Sequence, residues 1–359
     1  MRTLSTRARG GAFARAAFSV AAVLLVAAVA LWAGPGHAQF SIFGLKNSLV
    51  QFLLKQISVE GEFELTATGI EEPEDGVTRL AGVQIADGDG VWFKAEGVDL
   101  NWNASRILRG ELEIRKLAVV GMEVLRKPNP PEVTVNEDSE VGQATFDPFA
   151  WPRSPIATRV EEMRLERAFV AAGVLAPQSL SFEATGSFVD EGDEQSLTLD
   201  VTRTDDVVGE IDLNYVRDFS DESLTLKLDA GEAPGGLVAA MAGLPEGSAS
   251  SFVIDASGPL TDWALTLKAE AERMIEVTGS ATVNAQAPIG ASLKLALVPG
   301  EALDPAAHVA LGERAELDLV VQETEGGVIR IESGHFRSPS LGMDVSGDYV
   351  RDTAAMDFA

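Results

Sequence analysis

Residues 91–128, VWFKAEGVDLNWNASRILRGELEIRKLAVVGMEVLRKP, decide how the chain is read. In the first half, Val98 and Leu100 alternate with Asp99 and Asn101. In the second, Leu112 and Ile114 alternate with Glu111, Glu113 and Arg115, and Leu117, Val119, Met122 and Val124 carry the apolar signal onward. A period of two sends successive side chains to opposite faces, so each half predicts a strand with one wet and one dry face. The connector from Asn103 to Gly110 is too polar and too short for a full helix. It predicts a turn with one helical loop, after which Gly110 re-enters the sheet. Nothing in the stretch has the character of a catalytic group; it reads as a wall.

Working outward, strands are expected at 60–68 and 78–86 before this wall, and the alternation returns after Ile156. Leu180, Phe182 and Ala184 mark one face of a strand, as do Leu197, Leu199 and Val201. So do Ile211, Leu213 and Tyr215, and then Leu224, Leu226 and Leu228. Further strands are expected at 251–257, 263–269, 275–283, 292–298 (with Leu293, Leu295 and Leu297), 315–321, 328–333 and 343–350. Runs such as Asp190-Glu-Gly-Asp-Glu194 and Thr204-Asp-Asp206 supply turn chemistry between them. That rhythm is one of consecutive antiparallel hairpins, with no strand–helix–strand alternation. Two helical inserts are expected: 234–244, opened by Pro234 and stopped by Gly243 and Pro245, and 300–311. Strands followed by a short helix, twice over, suggest a loose repeat.

The ends of the pattern are different in kind. The first 59 residues hold Arg2, Arg7, Arg9, Arg15, Lys46 and Lys55 and none of the 55 acidic residues. Within them residues 16–33, AAFSVAAVLLVAAVALWA, form an apolar run at the lower limit for spanning a bilayer. The arginines before it stay cytoplasmic and the acidic body crosses, which makes the body periplasmic. Gly36-His37-Ala38 offers small residues for cleavage before Gln39, so the segment is either a removed signal peptide or a retained signal anchor. Leu45, Leu49, Phe52, Leu53 and Ile57 recur at helical spacing. That helix either meets the membrane end of the sheet or packs its stripe on the first strands. Pro128, Pro130 and Pro131, the acidic residues near 137–140 and Phe146-Asp-Pro148 make a long aperiodic loop. The division is therefore 1–38 signal peptide or anchor, 39–58 amphipathic helix, 59–128 first β-sheet segment, 129–156 Pro-rich acidic loop, and 157–359 repeating strands with helical inserts.

Composition narrows function by exclusion. A formal net charge of −27, with 46% apolar residues, would be repelled by phosphate backbones, so nucleic acid is not an expected partner. Cysteine is absent, which removes disulfides and thiolate metal sites. His37, His308 and His335 are far apart and form no metal-ligand pair. Asp87-Gly-Asp-Gly90 could pass for a calcium loop but lacks further carboxylates, and reads as a hairpin turn. Gly235-Gly236 follows Glu232 and lacks a phosphate-binding lysine. With no nucleophile elbow, P-loop or dinucleotide fingerprint, no catalytic residue, cofactor or metal is expected.

The wall also carries a resemblance. Gly90-Val91-Trp92, Val98, Leu100, Trp102, Ile107-Leu108, Gly110, Leu112, Ile114, Leu117, Gly121, Val124-Leu125-Arg126 and Pro128 resemble, in type and spacing, the TamB group of the AsmA-like proteins. The runs Glu232-Ala-Pro-Gly-Gly-Leu237 and Gly258-Pro-Leu-Thr-Asp-Trp263 are similar to that group too. The strand pattern alone fits both a sandwich, with dry faces packed together, and one curved sheet with its dry face open. A lining of Leu, Val and Ala with few aromatics leans to the second. The resemblance implies it: a mainly all-β chain, with an N-terminal transmembrane or signal helix followed by an elongated, curved antiparallel groove with short helical inserts. It further implies a single-pass inner-membrane anchor, phospholipid acyl chains as cargo, and a role in outer-membrane biogenesis. An outer-membrane barrel partner of the TamA type would be met through a C-terminal region this chain is expected to lack. The lining expected from the strand phase is Leu112, Ile114, Leu197, Leu199, Leu224, Leu226, Leu228, Leu293, Leu295 and Leu297. The competing expectation is a structural assembly factor that docks such a barrel without binding lipid.

Overall fold

The computed structural model describes residues 64–74, 76–107, 109–128, 156–237, 247–286, 288–324, 328–350 and 355–358. The apolar run at 16–33, the stripe between Leu45 and Ile57, the loop at 129–155 and most of the first helical insert lie outside them. The chain divides into two compact units, residues 1–160 with 164–181, and residues 161–163 with 182–359. It is mainly β, in open antiparallel sheet with few helices.

The first unit contains β1 (Glu64–Glu74), β2 (Val77–Asp87), β3 (Gly90–Trp102), a single helical turn α1 (Ala104–Ile107), β4 (Glu111–Val124) and most of β5 (Ala157–Val170). Strands β1 to β4 pair in chain order, each antiparallel to the next. The end of β5 is tied to the end of β4 by Ala171 N donating to Val124 O at 2.9 Å. The expected helical loop is α1; β2 matches its expected bounds to within a residue, while β1 runs to Glu74, six residues past the expected end, and residues 60–63 of that expectation lie outside the described residues.

What the pattern did not explain is its change of phase. Buried positions in β2 are Thr78 and Leu80, then Val83 and Ile85; in β3, Phe93 and Ala95, then Val98 and Trp102. In β4, Leu117 and Val119 give way to Met122 and Val124. Each strand skips one beat at the same level, where Gly69, Ala81, Gly97 and Val120 lie in line across the four strands. Gly69 (φ 62°) and Gly97 (φ 60°) take left-handed backbone there, which breaks the pleat and lets the same face stay inward on both sides of the line. A side chain at 97 would also collide with Val120, whose Cγ2 lies 2.8 Å from the position of its Cβ.

Tryptophan and arginine pin the two ends of this sheet. Trp102, buried, donates its indole N–H to Thr78 Oγ1 at 2.9 Å across β2 and β3, so the ring is buried without an orphaned donor. At the other end Arg126 holds both carboxylate oxygens of Asp87 and the carbonyl of Gly90. Asp87 pairs directly with Gly90 across a two-residue turn, so the Asp87-Gly-Asp-Gly90 run is the β2–β3 hairpin, its first carboxylate taken by a guanidinium.

The second unit carries the remainder of β6 (Leu180–Glu191), then β7 (Glu194–Arg203), β8 (Gly209–Asp218), β9 (Ser223–Glu232), β10 (Ser250–Pro259), β11 (Trp263–Ala271), β12 (Ile275–Asn284) and β13 (Gly290–Pro299). After the helix α2 (Pro305–Leu311) come β14 (Ala315–Thr324), β15 (Val328–Arg337), β16 (Gly342–Val350) and β17 (Ala355–Phe358). Each pairing is antiparallel and joins neighbours in the chain. Among the described residues no pairing closes the sheet into a barrel. Helix α2 is the second expected insert, narrowed because Asp304 caps it: its carboxylate accepts from Ala306 N at 2.8 Å, and Pro305 follows in the first turn. Its last carbonyls are taken by Ser338 and Ser340, which donate to Ala310 O and Val309 O at 2.6 and 2.8 Å. Of the first insert, Gly236 N donates to Ala233 O in a turn at Pro234 and Gly235. Strand β17 was not foreseen; four residues are too few to show a period.

Replacing Gly97 by valine imposes left-handed backbone on a β-branched residue and overlap on Val120. The expected loss is about 2–4 kcal/mol of unfolding free energy, with Gly97→Ala intermediate, measured by chemical denaturation.

Candidate functional site

In the second unit the antiparallel register aligns apolar side chains into rows that run across the strands. Leu199 faces Leu213, Leu213 faces Leu228 and Leu228 faces Ile254. The same row continues through Leu267, Gly279 and Leu295 to Leu317 and Phe336. One side step away lies a second row: Leu197, Tyr215, Leu226, Ala256, Leu265, Ala281, Leu293 and Leu319. On the other side is a third, Val201, Ile211, Ala230, Phe252, Ala269, Val277 and Leu297. The central row crosses every strand from β6 to β16.

At ordinary strand spacings the central row runs about 48 Å across eleven strands, and all three rows together make a band about 14 Å wide from β7 to β13. A face packed on a second layer would be buried throughout. Here Leu197, Tyr215 and Ala256 of the second row are buried, but Leu199, Leu213, Leu226, Leu228, Ile254, Leu265, Leu267, Leu293, Leu295, Leu297, Leu317 and Leu319 are only half-buried. Soluble monomers rarely leave more than a few hundred Å² of contiguous apolar surface open without a use for it. Gly279 keeps this floor low, because Leu295 leans across β12 with its Cδ2 2.4 Å from where a Cβ at 279 would stand.

The ten expected lining positions fall into two sets. Leu112 and Ile114, each 3% exposed, belong to the buried face of the first unit, and Leu197 and Leu224, each 1% exposed, are equally closed. These four present no surface. Leu199, Leu226, Leu228, Leu293, Leu295 and Leu297 share the open band. Leu224 lies one row beyond it, where Trp263 donates its indole N–H to Leu224 O at 2.9 Å.

The band is bordered by polar groups that keep the same strand phase. Beyond the second row, Asp190 faces Gln195 and Gln195 faces Arg217. All three are buried, with Gln195 Nε2 donating to Asp190 at 3.3 Å and Tyr215 O–H donating to Gln195 Oε1 at 3.4 Å. At the opposite border Arg203 donates to Glu232 and Asp205, each at 2.8 Å. Burial works against the Arg203 charge, and the two carboxylates more than offset it, so its pKa stands above the ordinary value. Sequence reasoning missed these borders. The available signal was a polar residue in phase with an apolar run, as Arg217 follows Leu213 and Tyr215.

The reverse face is polar and exposed. Asp200, Asp212 and Asp229 stand directly opposite one another on β7, β8 and β9, an arrangement that costs stability. The hydrogen bond between the Asp212 and Asp200 carboxyls raises the Asp212 pKa above its ordinary 3.8, helped by slight burial and by the charges of Asp200, Asp229 and Glu210. Further along, His335 Nδ1 and Arg337 Nη2 both lie 2.6 Å from Asp344 Oδ1. The hydrogen bonds to His335 and Arg337 hold the Asp344 carboxyl below the usual range. His308 lies in α2, whose Gly312 N–H donates to its carbonyl at 2.9 Å. Among the described residues no three His, Asp or Glu converge on a metal position, and no helix is long and apolar enough to cross a membrane.

No family model, no curated protein and no solved structure matches the chain. The fold and the band stand on their own geometry.

Because the Asp212 carboxyl binds its proton more tightly in the folded chain, protonation favours the fold. Stability gained here rises as pH falls through that raised pKa and is complete below the unfolded value of about 3.9. Asp212→Asn is expected to raise the melting temperature at pH 7 and to flatten its rise toward mildly acid pH. Thermal scans of both proteins from pH 7 down to below the unfolded value of about 3.9 check this.

Proposed function

We propose that the chain is a periplasmic scaffold, anchored in the inner membrane, whose open apolar band receives phospholipid acyl chains. It serves outer-membrane biogenesis by conducting lipid, by assisting assembly of outer-membrane proteins, or both. The observation that carries this reading is the incomplete burial of an apolar face whose central row crosses eleven strands. The resemblance of residues 90–128 to TamB-type proteins and the basic, then apolar, N-terminus support the compartment.

The mechanism is passive. Each CH₂ that stays on the band rather than in water avoids a cost of about 0.8 kcal/mol. Repeated, near-equivalent leucine positions form shallow sites of similar depth, so a tail moves along a row without climbing out. The exposed acidic reverse face keeps such a sheet in solution and discourages stacking. The reading assigns no catalytic step, and a driving force would come from elsewhere.

Photocrosslinking in intact cells tests it, with the reactive residue at Leu226 and a control at Lys227, the exposed neighbour on the reverse face. Lipid adducts are expected at 226 and not at 227. Leu226→Asp should cut lipid transfer by about tenfold or more, since an unpaired carboxylate against acyl chains costs well over the 1.4 kcal/mol that a factor of ten represents; Lys227→Asp should leave it. Absence of adducts at both positions in a folded protein would overturn lipid binding and favour a purely structural factor that docks a barrel partner.

A further inference from the structure

The two borders of the band differ in charge. Arg203, at one, is matched by Asp205 and Glu232. Arg217, at the other, is 6% exposed and has no carboxylate within ion-pair distance among the described residues. Its Nη1 donates to two turn carbonyls, Asp218 O at 3.2 Å and Ser223 O at 2.9 Å, and its guanidinium carbon lies 5.0 Å from the centre of the Phe219 ring. Nε and Nη2 have no acceptor among the described residues and are not sealed from water. The neighbouring Asp218 carboxylate hydrogen-bonds within its own loop, accepting from Ser220 Oγ at 2.6 Å and Ser220 N at 2.8 Å, and these bonds, with a smaller contribution from the Arg217 charge, hold its pKa below the ordinary value. The buried Asp190 lies two strands away in the same row, beyond Gln195, which donates to it.

A guanidinium that is mostly enclosed, with two donors still open to water, offers an anion a charge-assisted pair of hydrogen bonds. Phosphate and carboxylate both match its planar fork. Arg217 also keeps phase with Tyr215 and Leu213, which places it one side step, about 7 Å, from the second row of the band. We propose that the Arg217 border is the headgroup end of the band, where it takes the phosphate or carboxylate of an anionic amphiphile whose tail lies on Leu226, the half-buried second-row position diagonal to it, and on the central row. This rests on the reading of the band as an acyl-chain surface. The Arg203 border, already neutralised, takes no anion, so an amphiphile lies across the strands in one orientation. Arg217 acts as a binding residue and performs no chemistry.

Calorimetric titration of the full chain in amphipol tests it with three probes: dodecyl phosphate, an uncharged dodecyl glycoside and inorganic phosphate. Wild type is expected to bind dodecyl phosphate about tenfold tighter than the glycoside, the discrimination of one charge-assisted hydrogen bond, and inorganic phosphate far more weakly. Arg217→Gln should erase that preference while leaving glycoside affinity unchanged, which a merely structural loss at the β8–β9 turn would not do. Arg217→Lys should keep part of it. Equal binding of the two amphiphiles by wild type, or a preference that survives Arg217→Gln, overturns the headgroup assignment and leaves the band intact. Inorganic phosphate binding as tightly as dodecyl phosphate would make this a free-anion site and overturn it too. If neither amphiphile binds, the reading of the band itself fails.

Discussion

Everything in the second unit depends on antiparallel register held without a face-changing slip from β6 to β16. Because side chains alternate strictly, a shift of one residue between any two strands would turn the following leucines outward and bring the following aspartates in. The rows exist only because neighbouring strands agree. Hairpin connections between consecutive strands secure that agreement locally, and the one irregularity, an extra residue in β15 between Ile331 and Gly334 relative to both neighbours, falls beyond the second row.

The two units use the same alternation to different ends. In the first, Leu80, Phe93, Val98, Leu112, Ile114 and Met122 are closed off from water, and Trp102 is buried with its indole N–H satisfied by Thr78. In the second, side chains of the same kind remain half-open along most of the band. Burial of apolar area is the main source of folding stability, so the second unit forgoes some of it. Backbone pairing on both sides of nearly every strand compensates, together with polar borders in which Arg203, Glu232 and Gln195 find partners. An open apolar face that is expensive to keep is the feature on which the proposed binding of apolar chains rests.

Strand existence and order were legible almost completely, since residues such as Leu224, Leu226 and Leu228 declare their face by period alone. The two short helices within the described residues were legible from Asp304-Pro305 and from the polar connector ending at Gly110. The phase break was visible only as an oddity, Leu117 and Val119 followed by Met122 and Val124. Its cause is left-handed backbone at Gly69 and Gly97, and no single strand reveals that its neighbours break at the same level. Of the ten expected lining positions, six are half-buried in the band, while Leu112, Ile114, Leu197 and Leu224 are closed.

The sequence by itself determined which side chains share a face, because alternation is a local property of extended backbone. It could not determine which of those faces stay open, because exposure depends on what distant segments lay over them. Leu226 and Leu112 are equivalent as sequence; only the tertiary structure makes one half-exposed and the other core. The same holds for Arg217, an ordinary strand arginine until the fold buries its charge and leaves part of its fork without an acceptor.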